Sequence, residues 1–454
     1  VATSDTAFYQ RAWRWHFLAG LFLAPLLILL SVTGIIYLFK PQLDELMYPH
    51  LLQVTPITHP LSADRLAAVV QAAYPDAVLT QYLPPSAADR SAQFVLRSGE
   101  RELNLFINPA DGALLGALDA HDNLQAIARA LHAELMLGKT GDAVIELAAG
   151  WTLLLLCSGL YLWWPRQKGG MQGILLPRPD RRGRLWWRDL HAVLGLWGAA
   201  GLLFFALSGM TWTGIWGQRF ADLWNRFPAA MWNEVPSSTL SRSLNQPHQQ
   251  TVAWGAETLP LPRSHAAHHG DAMAEHGTVA GRIPLQKVVD IARDRGVAPG
   301  YSISLPKGES GVFTIALFAD DPRNDATLHL DQYSGQVLTD VRWQDYGAVA
   351  KTVETSVMLH MGRMYGLPHQ LLMLALCLMV IGSCLSGLWI WWRRRPAGRL
   401  GLPSLPAVLP SWRGAALLLI GLGLAFPLLG ASLLLVWGLD ALWLAGRRLR
   451  PARA

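Results

Sequence analysis

The sequence predicts an α-helical integral membrane bundle, with four core helices in two parallel repeats plus a C-terminal helical hairpin, carrying two α+β domains outside the membrane. Three observations lead there. Of 454 residues, 52% are hydrophobic and 15% charged, with a mean hydropathy of +0.24, which excludes a purely cytosolic enzyme. Several apolar runs reach the ~20 residues that cross a hydrocarbon core of ~30 Å. Long stretches also match one another at fixed offsets, the mark of an internal duplication.

Residues 11–40 read as the first transmembrane helix, with an apolar run from Phe17 to Phe39. The run is too long for a signal-peptide core and is followed by Lys40-Pro41 instead of a small-residue cleavage site. Residues 41–122 form the first outer domain. In it Ser62 N-caps a helix through Tyr74, and strands follow near 77–83, 92–97 and 102–107, with turns at Ser98-Gly99 and Pro109 to Gly112. An outer helix and the second span occupy 123–165, a basic loop 166–185, and the third span 186–216.

Residues 217–282 are an insert, aromatic in FADLWNRFPAAMW and His-rich in SHAAHHGDAMAEH. The second outer domain, 283–350, repeats the first, with a helix from Pro284 and strands near 301–305, 311–318 and 326–331. An outer helix and the fourth span take 351–393, a loop 394–411, and the hairpin 412–446, turning at Pro427 to Gly430. The 20 tryptophans gather at the ends of the spans, where amphipathic rings anchor at the interface.

Orientation follows from the basic loops. Residues 1–16, 165–190, 393–413 and 440–454 hold 18 Lys/Arg against four acids, while the remaining segments hold 20 basic and 28 acidic residues. The first set is therefore cytoplasmic and the outer domains lie on the other side. The basic pI of 9.3 reflects topology and not nucleic acid binding. The three cysteines, Cys157, Cys377 and Cys384, all lie in apolar runs, so no iron–sulfur, zinc or disulfide framework is available.

The repeat pairs WRWHFLAGLFLAPLLILLSVTG with WRDLHAVLGLWGAAGLLFFALSG at an offset of 175, matching His16 with His191, Gly20 with Gly195 and Gly34 with Gly209. LHAELMLG pairs with LHMGRMYG at an offset of 228, matching His132 with His360 and Gly159 with Gly387. NPADG and DQYSG match at 223, which locates an insertion of about 48 residues after the third helix.

Ionisable residues at transmembrane helices default to a functional reading. Two parallel repeats bring each equivalent histidine pair together, His16 with His191 toward the cytoplasm and His132 with His360 outside. Haem iron accepts imidazoles from opposite sides, and facing helices supply that geometry. Gly20 and Gly34 share the face of His16, as Gly195 and Gly209 share that of His191, leaving room for a flat macrocycle. Arg14 and Arg188 are candidate propionate partners on the cytoplasmic side, and Arg363 outside.

The plainer reading makes these interfacial histidines and close-packing glycines. His369 competes for the outer site, although Gly141 stands at its position in the first copy. Glu146, just inside the second span, is a proton or propionate contact or a snorkelling carboxylate. His265, His268, His269 and His276 read as a metal-binding tract or as a solvated loop.

Leu131 to Gly138 with Gly159 to Trp164, and Leu359 to Gly366 with Gly387 to Trp392, carry an L-H…G pattern followed by a helix ending G-L-x-x-W-W. With the helix starts Trp13 to His16 and Asp189 to Gly195, the chain resembles the PepSY-associated transmembrane family over roughly residues 10–395, and its outer units look like PepSY domains. That resemblance implies a bacterial inner-membrane siderophore reductase holding two b-type haems between four helices. It further implies periplasmic outer domains and a periplasmic ferric siderophore or other ferric chelate as acceptor.

The loops are too short for a flavin domain, so the donor is a quinol or a separate flavoprotein, which the basic loop Arg166 to Arg188 would steer. An oligomer is compatible with the sequence. Two other classes stay open: a non-enzymatic membrane regulator whose outer domains bind peptide or a peptidase, and a periplasmic copper or haem handling protein.

Overall fold

The structure is a computed structural model and describes residues 4–165, 173–224, 237–245, 252–264, 281–401, 403 and 413–448. In chain order its first half contains α1 (Ser4–Leu38), α2 (Lys40–Met47), α3 (Pro49–Leu52), α4 (Ala63–Ala73), β1 (Val78–Leu83), β2 (Ala92–Ser98), β3 (Arg101–Ile107), β4 (Leu114–Asp119), α5 (Leu124–Glu134) and α6 (Lys139–Trp163). The second begins with α7 (Arg184–Met210), α8 (Trp216–Trp224), β5 (Ser237–Leu240), β6 (Pro260–Pro262) and α9 (Leu285–Asp294). It continues with β7 (Ser302–Ser304), β8 (Val312–Leu317), β9 (Ala326–Asp331), β10 (Val337–Arg342), α10 (Ala348–His360) and α11 (Gly366–Arg394), and ends with α12 (Arg413–Ala425) and α13 (Pro427–Arg448).

Contacts divide the chain into two compact units, one of Val1–Ile35, Leu131–Arg219 and Leu371–Ala454, the other of Ile36–Ala130 and Phe220–Gln370. Among the described residues four helices are long and apolar enough to cross a membrane: Ala7–Leu38, Lys139–Trp163, Arg184–Met210 and Gly366–Arg394. The chain is thus a membrane helical part joined to a sheet-bearing part.

In the helical unit, Leu23, Leu27, Ala148 and Val380 form a small buried cluster where α1, α6 and α11 meet. The third span ends at Met210, short of the Trp216 that apolarity alone predicts. The hydroxyls of Thr211 and Thr213 turn back onto Ser208 O at 2.7 Å and Met210 O at 2.9 Å, so the chain satisfies its own carbonyls and turns. A short amphipathic α8 then begins.

The last two helices form a hairpin. A Cβ placed on Gly430 would lie 2.5 Å from Gly423 O, an approach that only two glycine backbones allow. Pro427 opens the second arm, where its missing N–H costs nothing. Phe426 and Leu429 at the bend are buried against Leu153, Leu154, Ala206 and Met210. Trp151 Nε1 donates to Ser432 Oγ at 3.1 Å and Trp216 Nε1 to Ala425 O at 2.7 Å, fastening the bend.

The sheet unit departs from the expectation of two separate outer domains. Its strands join in one eight-stranded sheet, ordered β10-β9-β8-β7-β1-β2-β3-β4, with every neighbouring pair antiparallel. At the centre Gln81 pairs with Ser304, and these are equivalent positions of the repeat at offset 223. Each copy therefore meets the other through the same edge, as a two-fold relation requires.

Helices α4 and α9 cap each other across that seam. Asp64 accepts from Leu285 N at 2.7 Å and Gln286 N at 3.0 Å, while Gln286 Oε1 accepts from Ala63 N at 2.9 Å. Ser62 caps α4 as its sequence position indicates, its Oγ accepting from Arg65 N at 3.3 Å. One hydrophobic core, including Leu66, Phe94, Leu105, Val288, Ile303 and Leu328, runs through both halves.

The described part of the insert covers the other face of the second half. Every residue of β8 and β9 is buried, and Ser241 from the insert lies 3.2 Å from His329 Nε2 while Thr314 lies 2.9 Å from Nδ1. Burial holds that imidazole neutral, its pKa lowered to about 3, so His329 is a structural residue. Val252, Trp254, Ala256 and Leu259 pack on Val353, Val357 and Met358 of α10.

Candidate functional site: paired histidines among the spans

His16 sits on α1 and His191 on α7, and their ring centroids are 6.2 Å apart with ring planes at 73°. Each ring is held through Nδ1. His16 Nδ1 lies 3.2 Å from Leu155 O and 3.1 Å from Ser158 Oγ. His191 Nδ1 lies 2.8 Å from Ser383 O. A carbonyl only accepts, so Nδ1 carries the proton in both rings and Nε2 keeps its lone pair, the form in which imidazole ligates a metal. Leu155 and Ser383 are equivalent positions at offset 228, so the two supports obey the repeat.

The two neutral imidazoles, one from each copy of the repeat, thus form a close pair of potential metal donors. Bis-imidazole donors of this kind suit haem iron.

His132 lies in the last turn of α5, its Nδ1 3.1 Å from Thr33 Oγ1. The Thr33 hydroxyl proton is directed at Leu29 O, 2.8 Å away, so the oxygen accepts from His132 and the same tautomer results. His360 ends α10 in the sheet unit, partly buried. His369 is 6% exposed, near the start of α11, with its ring 5.7 Å from that of Tyr365 and its Nδ1 without a hydrogen-bond partner among the described residues.

The glycines that share a helix face with His16 and His191 meet different neighbours. Gly34 faces the imidazole of His132, its virtual Cβ 3.4 Å from Cε1. Gly20 faces Leu155 at 3.7 Å and Gly195 faces Ser383 Oγ at 3.6 Å, ordinary contacts. Gly209 lies in the last turn of α7, where its carbonyl accepts from Trp212 N at 3.1 Å.

Of the arginines, Arg14 donates to Pro403 O, Arg188 reaches Asp189 at 3.2 Å, and Arg363 binds Asp320 with Nε at 2.6 Å. Asp189 is also gripped in bidentate fashion by Arg178, at 2.7 and 2.9 Å. Glu146 is 2% exposed and does not snorkel. It accepts from Trp216 N at 2.9 Å and Ile215 N at 3.3 Å, capping α8, while Asp142 accepts from Gly214 N at 2.8 Å. His265, His268, His269 and His276 lie outside the described residues. Among the described residues no group of three or more His, Cys, Asp or Glu is placed to hold a metal ion.

A family model described as PepSY-associated TM region matches residues 13–394. The chain belongs to that family. No curated protein matches it. In this PepSY-associated chain the histidine rings rest on residues that the face-by-face reading of α1 and α7 passed over. A Cβ on Gly159 would come within 3.0 Å of His16 Cε1, and one on Gly387 within 3.1 Å of His191 Cε1. The signal was present in the repeat, where these glycines match at offset 228. Ser158 and Ser386, also equivalent, donate to Leu154 O and Gly382 O at 2.8 and 2.7 Å.

Proposed function

We propose that this protein is a di-haem reductase of the bacterial inner membrane that moves electrons from the cytoplasmic side to a periplasmic ferric siderophore or other ferric chelate. The observation that carries the reading is the His16 and His191 pair, 6.2 Å between centroids, with both Nδ1 atoms engaged by repeat-related carbonyls. His132 and His360, equivalent in the repeat, would hold the second haem. Haem supplies a one-electron carrier that alternates between ferric and ferrous iron.

The chain's own residues set the conditions for it. Leu155 and Ser383 fix the tautomer and the ring orientation, and Gly159 and Gly387 leave the space in which each ring sits. The distribution of Lys and Arg supports a cytoplasmic His16 and His191 end and a periplasmic sheet unit. At the sheet seam Lys307, Arg263, Glu102, Gln81 and Ser304 line a polar cleft of about 340 Å³, where two cations against one carboxylate and the hydrogen-bonding groups suit the oxygens of an anionic chelate.

The test is the visible spectrum of purified protein before and after dithionite, with a pyridine haemochrome count. Two haems per chain are expected. His191→Ala should lose one, and His16→Ala combined with it should lose no more, since both serve one iron. A colourless protein refutes the reading and favours the peptide-binding regulator.

A further inference from the structure

The helical unit contains a second feature beside the paired histidines. Between α1, α6 and α12 lies an apolar cleft of about 290 Å³, at the lower end of small-molecule sites, which run from about 300 to 1,000 Å³. Trp15 and Trp151 line it, stacked with centroids 6.1 Å apart and planes at 24°. Arg11, Ser158 and Tyr161 bring polar groups to the same lining. Cys157 and Leu418 are exposed on its walls, so the cleft opens to the surroundings of the helices.

Ser158 connects the cleft to the histidines. Its Oγ both lines the cleft and lies 3.1 Å from His16 Nδ1. The hydroxyl proton is directed at Leu154 O, so the oxygen presents lone pairs and can accept a further hydrogen bond. Whatever occupies the cleft stands one side chain away from the His16 imidazole.

The cleft belongs to one copy of the repeat. At the equivalent positions Arg11 becomes Trp186, Trp15 becomes Leu190, Trp151 becomes Met379 and Tyr161 becomes Trp389, whereas His16, Ser158 and Gly159 keep their counterparts His191, Ser386 and Gly387. The residues shared by both copies support the imidazoles, and those that differ build the cleft. The third wall, α12, lies outside the duplicated segments altogether.

We propose that this cleft binds a membrane quinol, the electron donor of the reaction proposed above, on which this inference rests. A single substituted ring matches the volume, flat aromatic walls suit its stacking, and a quinol hydroxyl would donate to Ser158 Oγ. An isoprenoid tail leaves through the exposed apolar wall. A flavin or a ferric chelate is too polar for so apolar a lining. One quinol would lose two electrons and two protons and depart as the quinone; haem held by His16 and His191 would supply the one-electron acceptor, two equivalents per quinol, and both protons would leave to water.

The experiment uses full-length protein in lipid nanodiscs, with Ala415→Trp narrowing the cleft from α12 and Cys157→Phe narrowing it from α6. A photoreactive azido-quinone should crosslink to peptides containing 151–161 in the parent, and crosslinking should fall about tenfold or more in either variant by steric exclusion. Haem reduction by a short-chain quinol should slow to the same degree, while dithionite reduces parent and variants equally. Unchanged crosslinking and unchanged quinol oxidation in both variants overturn the proposal and leave the cleft to a lipid acyl chain. Crosslinking needs no haem, so a haem-free preparation would refute the reductase reading while the map still decides the cleft.

Discussion

Substituting Gly387 by alanine tests how closely the histidine supports are built. The new Cβ would lie 3.1 Å from His191 Cε1 and 3.2 Å from Nδ1, against an ordinary carbon contact of about 3.5–4.0 Å. The ring must withdraw by about 0.4 Å or more. Its hydrogen bond to Ser383 O, now 2.8 Å, then stretches to the outer limit of about 3.2 Å for an N–H···O bond. Metal–ligand distances tolerate about 0.2 Å, so under the proposed haem ligation the displacement would exceed what His191 can absorb. Loss of such a support costs about 10- to 100-fold in affinity, or about 1.4 to 2.7 kcal/mol.

With haem as the proposed ligand, titration of haem into haem-depleted protein, followed at the Soret band, would read the change. Gly195→Ala is the control, because its Cβ meets only Ser383 Oγ at 3.6 Å, and it should bind within about twofold of the parent. Parent-like affinity in Gly387→Ala, or an equal loss in Gly195→Ala, would refute the reasoning.

Two further predictions concern stability. Glu354 is fully buried in the sheet unit, with Oε1 accepting from Gly255 N at 2.8 Å and Oε2 without a partner among the described residues, and burial followed by the charge of Asp325 pushes its pKa from 4.5 up to about 8. Its folded value is raised, so the stability of the neutral form is fully present below 4.5 and is lost as pH rises through about 8, at about 1.4 kcal/mol per pH unit at most. Glu354→Gln should therefore melt higher than the parent at pH 8 and alike at pH 4.5, and an identical difference at both would sink the assignment. Gly430→Leu should open the hairpin, lowering the melting temperature in detergent by the equivalent of about 1–3 kcal/mol for overpacking and exposing the 426–427 bend to limited proteolysis. A variant that melts and resists cleavage like the parent would count against the Gly423 and Gly430 contact.

Much of this was legible from residue order. Apolar length marked the four spans, Ser62 announced its cap, and the stop at Pro427 announced the hairpin. The repeat alone singles out His16 and His191, whose rings lie 6.2 Å apart. What stayed hidden is informative in physical terms. A helical face tells what a residue shares with its own helix, not which neighbour meets it, so the sequence places Gly34 on the face of His16 without showing that it abuts His132. The Nδ1 acceptors of both rings include backbone carbonyls, which any residue type supplies.

β4 escapes a period-2 reading because it has no buried residue at all, and β10 because its first two residues, Val337 and Leu338, are both apolar. Glu146 looked like a reactive or snorkelling carboxylate because its partners, the N–H groups of Ile215 and Trp216, lie about 70 residues away and belong to a turn that apolarity had assigned to a helix. The union of the two outer halves rests on a three-residue strand, β7, too short to declare its partner.

That union also constrains how the protein is made. Gln81 and its seam partner Ser304 are 223 residues apart in the chain, with two membrane spans between them. While the ribosome works through those spans, β1 presents an unpaired edge with Tyr82 and Gln81, both of which end up buried. Contacts of such long sequence separation close late, and bare strand edges invite pairing with other chains. The reciprocal caps at Asp64 and Gln286 form only when α9 arrives, so the first half leaves the ribosome as an unfinished surface. Duplication here did not yield two domains that mature in turn: it yielded one folding unit, in which the early half must be kept from other chains until the late half is translated.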